Sequence, residues 1–266
     1  MRPRPGRTVA LVVIAAVGLL GIAGVASGLW GVLATSEASR FQASADAVPW
    51  EEAIVVPTVA PRPTPSPTFD VTSRSTTDPL STWVIVNKQH PIDPGFEPPD
   101  LVDVDGARLR AAVEPDLRAM IDAAGADGAR LVVRSGYRSH AEQTAVRKQI
   151  ESRRGFAHAE RYSARPGFSE HQTGLALDMD SGTEPGCNLQ TCFTRTAEGL
   201  WLAQNAWQYG FVVRYTEANT AVTGYAPEGW HLRWVGRELT AHLNERAIGS
   251  LEEAFAVTGG AEYLER

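Results

Sequence analysis

A chain of 266 residues with 43% hydrophobic and 8% aromatic residues is long and apolar enough for one substantial folded domain plus extensions. The formal net charge is −6. Arg2, Arg4 and Arg7 are the only charged side chains in residues 1–36, and removing those three positive charges leaves −9 for the rest. That balance excludes the basic footprint of a nucleic-acid binder.

Residues 8–36 carry no charge and are mostly Ala, Val, Leu, Ile and Gly. The run exceeds the ~20 residues needed to span a bilayer and the ~7–15-residue core of a cleavable signal peptide. Arginines before it and Glu37 after it predict a single-pass anchor, with residues 1–36 as cytoplasmic tip and span and the remainder outside the membrane. A long, cleaved signal peptide and a secreted product is the alternative reading. Residues 37–80 predict a tether: Pro57 to Thr68 reads PTVAPRPTPSPT, a composition that favours extended polyproline II at ~3.1 Å per residue.

The folded domain is expected over 81–266. Trp83 to Asn87 predicts a strand and Pro91 to Asp100 a proline-rich loop. Leu109, Val113, Leu117, Met120, Ile121 and Ala124 recur at helical spacing, with Pro115 dividing the region and Gly125 and Gly128 stopping it. Leu131 to Arg134 is a short strand. Ser139 and Glu142 form a capping-box pattern opening a helix to about Arg153, and 154–168 predicts loop. Residues 175–179 form a buried strand. Thr196 caps a helix bearing Trp201, Leu202 and Ala206, closed by Gly210. Strands follow at 211–215 and 231–235, separated by a loop, and two helices end the chain, the second opened by Ser250 and Glu253. Short elements in this irregular order predict an α+β domain with a mostly antiparallel sheet and flanking helices.

Cys187 and Cys192 are the only cysteines. In an exported chain so close a pair predicts a disulfide, a local staple of ~2 kcal/mol on the chain-entropy account.

The stretch Ser169-Glu-His-Gln-Thr-Gly-Leu-Ala-Leu-Asp178 sets His171 and Asp178 seven residues apart, and Glu228-Gly-Trp-His231 follows sixty residues after His171. His171, Asp178 and His231 together make three protein ligands for a catalytic zinc, with a fourth position left for water. Glu228 is then the nearest base, and zinc lowers the pKa of a bound water towards ~7. Asp180 shares a strand face with Asp178 and rivals it. Glu228 and His231 are three apart, so a turn or bulge near Gly229 must re-aim Glu228. His90, His140, His158 and His242 read as surface or structural.

SGYRS at 135–139, RPGFSEHQTGLALD at 165–178, WLAQNAWQYGFVVRY at 201–215 and EGWHLRWVG at 228–236 resemble the VanY-like D-alanyl-D-alanine carboxypeptidases, zinc peptidases of the D-Ala-D-Ala peptidase/hedgehog group. The resemblance covers about 83–245. It implies one zinc ion on His171, Asp178 and His231, Glu228 as catalytic base, and Arg138 stabilising the scissile carbonyl. Gln143 and Ser169 would hold the terminal D-residue of a peptidoglycan stem peptide ending in D-Ala-D-Ala. Gly229 departs from the family's usual Glu-Pro-Trp-His, which predicts a base held less rigidly. A D,D-dipeptidase or an L-Ala-D-Glu endopeptidase is a close variant. A peptidoglycan-binding or sensory module that no longer turns over is the reading from another class.

Overall fold

The computed structural model describes residues 69–265. The apolar run 8–36 and most of the tether lie outside them. Among the described residues no helix is long and apolar enough to cross a membrane. Phe69, inside the stretch read as tether, packs on Trp83 and stacks on His242 at ring distances of 5.6 and 4.7 Å.

The strand expected at Trp83–Asn87 does not form. The alternation behind that expectation is real: Val84 and Val86 enter the main core, whereas Trp83 and Ile85 enter a second cluster with Val235, Leu239, Leu243 and Leu251. Among the described residues no strand pairs with this segment. Instead the Arg233 guanidinium donates to Thr82 O (3.1 Å) and Val84 O (2.8 Å), and Trp83 Nε1 donates to Val235 O.

β1 (Leu101–Val104) and β2 (Ala107–Arg110) form an antiparallel hairpin between the predicted loop and the predicted helix, and it takes Leu109 from the latter. Its two-residue turn is Asp105-Gly106, with φ of 53° and 85°, a dipeptide that tolerates positive φ at both central positions. Leu109 therefore sits in a strand. α1 (Glu114–Ala126) carries Pro115 in its first turn, so the proline opens the helix rather than dividing it.

β3 (Leu131–Ser135) leads into α2 (His140–Arg154), whose N-terminus has both bonds of the expected capping box between Ser139 and Glu142. α3 (Phe156–Tyr162) occupies part of the predicted 154–168 loop. β4 (Ala176–Ser181) follows the central stretch, and a Cys187–Cys192 disulfide lies beyond it. α4 (Ala197–Asn205) is capped by Thr196, and Gly210 at φ 82° ends the following turn. β5 (Phe211–Tyr215), the short α5 (Thr220–Thr223), β6 (Glu228–Trp234), α6 (Arg237–Arg246) and α7 (Leu251–Phe255) complete the domain. At α7 only half a capping box forms: Ser250 accepts from Glu253 N, while the Glu253 carboxylate turns to Gly249 N.

One four-stranded antiparallel sheet, ordered β3-β4-β6-β5, positions the site. The α+β class and antiparallel sheet read from the sequence are therefore what the chain builds. Leu117, Met120, Leu175, Leu177, Met179, Phe211 and Leu232 are fully or almost fully buried and belong to the main core.

Candidate active site and metal centre

Asp178 on β4 lies directly opposite His231 on β6 in the antiparallel register, so both side chains rise from the same face. His171 reaches them from a 3₁₀ turn at Glu170–Thr173 that ends on Gly174 at φ 67°, a left-handed conformation suited to glycine. His171 Nε2 lies 3.3 Å from Asp178 Oδ2, and His231 Nδ1 lies 3.1 Å from Asp178 Oδ1. The three ligand atoms fall within 4.8 Å of one another, and all three side chains are buried. The sequence-predicted trio is thus brought together. Asp180, the rival, points to Arg134 (2.9 Å) instead.

Both neighbouring strands are bulged here. One extra residue in β3 between Val133 and Ser135 sets Ser135 opposite Asp178, and Ser135 Oγ donates to Asp178 Oδ2 at 2.6 Å. In β6 the register against β5 passes from Tyr215↔Glu228 to Val213↔Leu232, so β6 carries two extra residues between Glu228 and Leu232. That is the bulge needed to bring Glu228 onto the site beside His231. Gly229 has no positive φ; a Cβ there would stand 2.7 Å from the Thr194 methyl.

The donor set fits a cation. His171 Nδ1 donates to Gly136 O at 2.7 Å, which leaves its Nε2 as a lone pair towards Asp178, while His231 lies between two carboxylates, Nδ1 3.1 Å from Asp178 Oδ1 and Nε2 3.3 Å from Glu170 Oε2. With His231 neutral at Nδ1, three acceptors converge in a buried space and call for positive charge between them. The electrostatics agree. Burial pushes Asp178 up, but His171 and His231 outweigh it and hold the carboxyl well below its ordinary range. Burial also works against a charged His231, yet Asp178 and Glu170 raise it to about 9. Since a metal ligand must be neutral imidazole, zinc binding would displace that proton. His171 goes the other way, lowered by burial and by Arg138.

Residues 106–237 match the family described as VanY: D-alanyl-D-alanine carboxypeptidase. The putative carboxypeptidase YodJ of Bacillus subtilis is 37% identical over 188 residues, covering 67% of this chain and 68% of the relative. The chain belongs to the VanY-like family. Among solved structures it is similar to a vancomycin-resistance D,D-pentapeptidase VanY from a VanB-type cassette, in complex with Zn(II) (32% identity, TM-score 0.57, covering 66% of this chain and 98% of that one). It is also similar to the LdcB LD-carboxypeptidase, whose structure concerns peptidoglycan recognition (35% identity, TM-score 0.61, covering 68% and 88%). The cofactor of this VanY-family chain is one zinc ion, for which His171, Asp178 and His231 supply the fitting ligand set.

A cavity of about 590 Å³ opens over the trio. Arg138, Gln143, Ser169 and Glu228, the remaining sequence-predicted residues, all line it. Arg138 donates to Gln143 Oε1 at 2.8 Å and approaches Asp178 at 3.7 Å, so its guanidinium faces the metal end. Gln143 is itself held by Ala164 O, accepting its Nε2 at 2.7 Å. Burial, with a further push from Asp178, raises the Glu228 carboxyl to about 8 against the pull of His231 and Arg138. A cation at the trio would lower it. His158, read as surface or structural, lines the same cavity and stacks on Tyr162.

Sequence reasoning missed Glu170. Its Oε1 accepts from Arg214 Nε (2.9 Å) and Arg233 Nη1 (3.1 Å), while Oε2 faces His231, and Arg214 also forks onto Glu252 at 2.9 and 2.6 Å. All four charged side chains are buried. Burial pushes Glu170 up, but Arg214, His231 and Arg233 hold it far below the carboxylate range. The only available signal was an acidic residue sandwiched between Ser169 and His171.

Proposed function

We propose that the chain is a membrane-anchored zinc D,D-carboxypeptidase that removes the C-terminal D-alanine from peptidoglycan stem peptides outside the membrane, with residues 8–36 as its anchor. The observation that carries this reading is the convergence of His171, Asp178 and His231, with Glu228 and Arg138 on the same cavity.

When bound, zinc acidifies a water and polarises the scissile carbonyl. Glu228, lining the cavity beside His231, would take the proton of the attacking water and return it to the leaving amine nitrogen. Arg138, fixed by Gln143, would stabilise negative charge developing on the carbonyl oxygen. Gln143 and Ser169, both buried in the cavity wall, would orient the terminal D-residue. His231 and His171 are held by Glu170 and Gly136, so the ligand geometry is set before substrate arrives.

The likeness to LdcB supports a second reading, hydrolysis of an L,D bond in a shorter stem peptide. The test uses the full zinc-loaded chain. D-alanine release is followed from a pentapeptide ending in D-Ala-D-Ala and from the tetrapeptide lacking the last residue, with and without chelator, alongside Glu228→Ala. Chelator-sensitive release from the pentapeptide, lost in the variant, is expected. Release from the tetrapeptide alone selects the L,D reading, and no release from either sinks both.

A further inference from the structure

The cavity extends well beyond the metal ligands. Gln143, Val146, Ile150 and Arg153 follow along α2 at i, i+3, i+7 and i+10, one stripe of a helix, and all four line it, with Arg154 beside them. At 1.5 Å per residue, Gln143 to Arg153 spans about 15 Å. An extended peptide at ~3.3–3.6 Å per residue covers that distance in about four residues. A substrate seated with its last residue by Gln143 and extended along this stripe would therefore carry its upstream residues to the last turn of α2.

The two ends differ in charge. The acidic side chains lining the cavity are Glu170, Asp178 and Glu228, and they belong to the metal end. The far end presents Arg153, Arg154, His158 and Tyr162. Arg147, on the same helix, is neutralised by Glu151 and Glu160, but Arg153 and Arg154 have no salt bridge among the described residues and are exposed. Cations in a last turn also suit the helix dipole. That accounts for their charge but not for the stripe that leads from Gln143 to them inside one cavity.

We propose that this far end is a subsite for a carboxylate carried by the substrate peptide upstream of the scissile bond, so that the chain prefers acidic stem peptides to amidated ones. The inference rests on the peptidase reading above and names its substrate class.

The test pairs pentapeptides ending in D-Ala-D-Ala that differ only in one upstream group, a free carboxylate or its carboxamide. On the full zinc-loaded chain kcat/KM for D-alanine release is measured, and on Glu228→Ala the Kd of each peptide is read by calorimetry. The parent should favour the acid about three- to tenfold, the range of one or two solvent-screened ion pairs, and less as salt rises. Arg153→Gln/Arg154→Gln should abolish the preference while leaving kcat/KM on the amide unchanged. Equal treatment of the two peptides by the parent overturns the subsite. So does a preference that survives in the double variant, or an equal loss on both peptides. Acid-selective binding with no D-alanine release would refute the peptidase reading and leave the subsite standing.

Discussion

Glu170 divides its carboxylate between two buried arginines and the outer nitrogen of His231. A ligand histidine anchored this way keeps its ring orientation and tautomer, and losing such an outer partner typically costs 10–100-fold in metal affinity. Glu170→Gln keeps an acceptor for the arginines but gives up the charge facing His231. The expected outcome is zinc binding weakened by about tenfold or more in chelator competition, on protein shown to be folded. An unchanged affinity would assign Glu170 to packing the arginines alone. At this scale the ligands were legible because His171 and Asp178 share one short stretch and Glu228 and His231 another. Glu170 was not, because Arg214 and Arg233 lie 44 and 63 positions away, and nothing in FVVRY or HLRWV marks a buried arginine.

The elements that bear the site were read better than those that support it. β4 and β6 carry apolar alternation or runs strong enough to be seen in one dimension, and the need for a bulge beside Gly229 followed from counting residues. The β1–β2 hairpin was hidden because Leu109 fell into phase with α1, although Asp105-Gly106 is a strong turn signal. The segment at 83–87 has a strand's alternation, but Arg233 takes the carbonyls of Thr82 and Val84, a partner only the fold reveals. Packing gives a separate reason for glycine at 229: the space a side chain would fill there is held by the Thr194 methyl, whose hydroxyl is bonded to Thr191 O. Gly229→Ala should cost about 1 kcal/mol through overpacking. Thr194→Ser, which deletes that methyl and keeps the hydroxyl, should recover most of it in the double variant. Calorimetric melting of the four proteins decides it, and strictly additive effects would mean the two positions do not compete for space.

Across the whole domain, buried or half-buried polar and charged side chains tie distant parts together. Asn87 Nδ2 donates to Glu252 and to Thr258 O, and the Lys88 ammonium binds Glu160 O, Gly224 O and Ala261 O, fastening the start of the domain to its end. Burial opposes ionisation of Glu252 and Glu160, but Arg214 in the first case and Arg165 with Arg147 in the second lower both pKa values. A carboxyl whose folded pKa lies below its unfolded one binds fewer protons in the native state. Its stabilisation is therefore complete above about pH 4.5 and drains away as pH falls through the folded pKa. On the acid side the melting temperature should drop below about pH 4.5, with a shallower drop in Glu160→Gln. A profile unchanged down to pH 3 would contradict the assignment. None of this was visible in the sequence, which showed the α+β class and the antiparallel sheet but not which charges would be buried together.

The order in which the ligands occur along the chain has its own consequence. His171 and Asp178 arrive close together, whereas His231 is 53 positions beyond Asp178 and enters only when β6 slots between β4 and β5. A slip of one residue in that insertion would turn His231 to the opposite face of the sheet. Such a chain could be compact and still hold only two of the three ligands. A metal ion held by all three side chains therefore reports that β6 stands in its native register between β4 and β5.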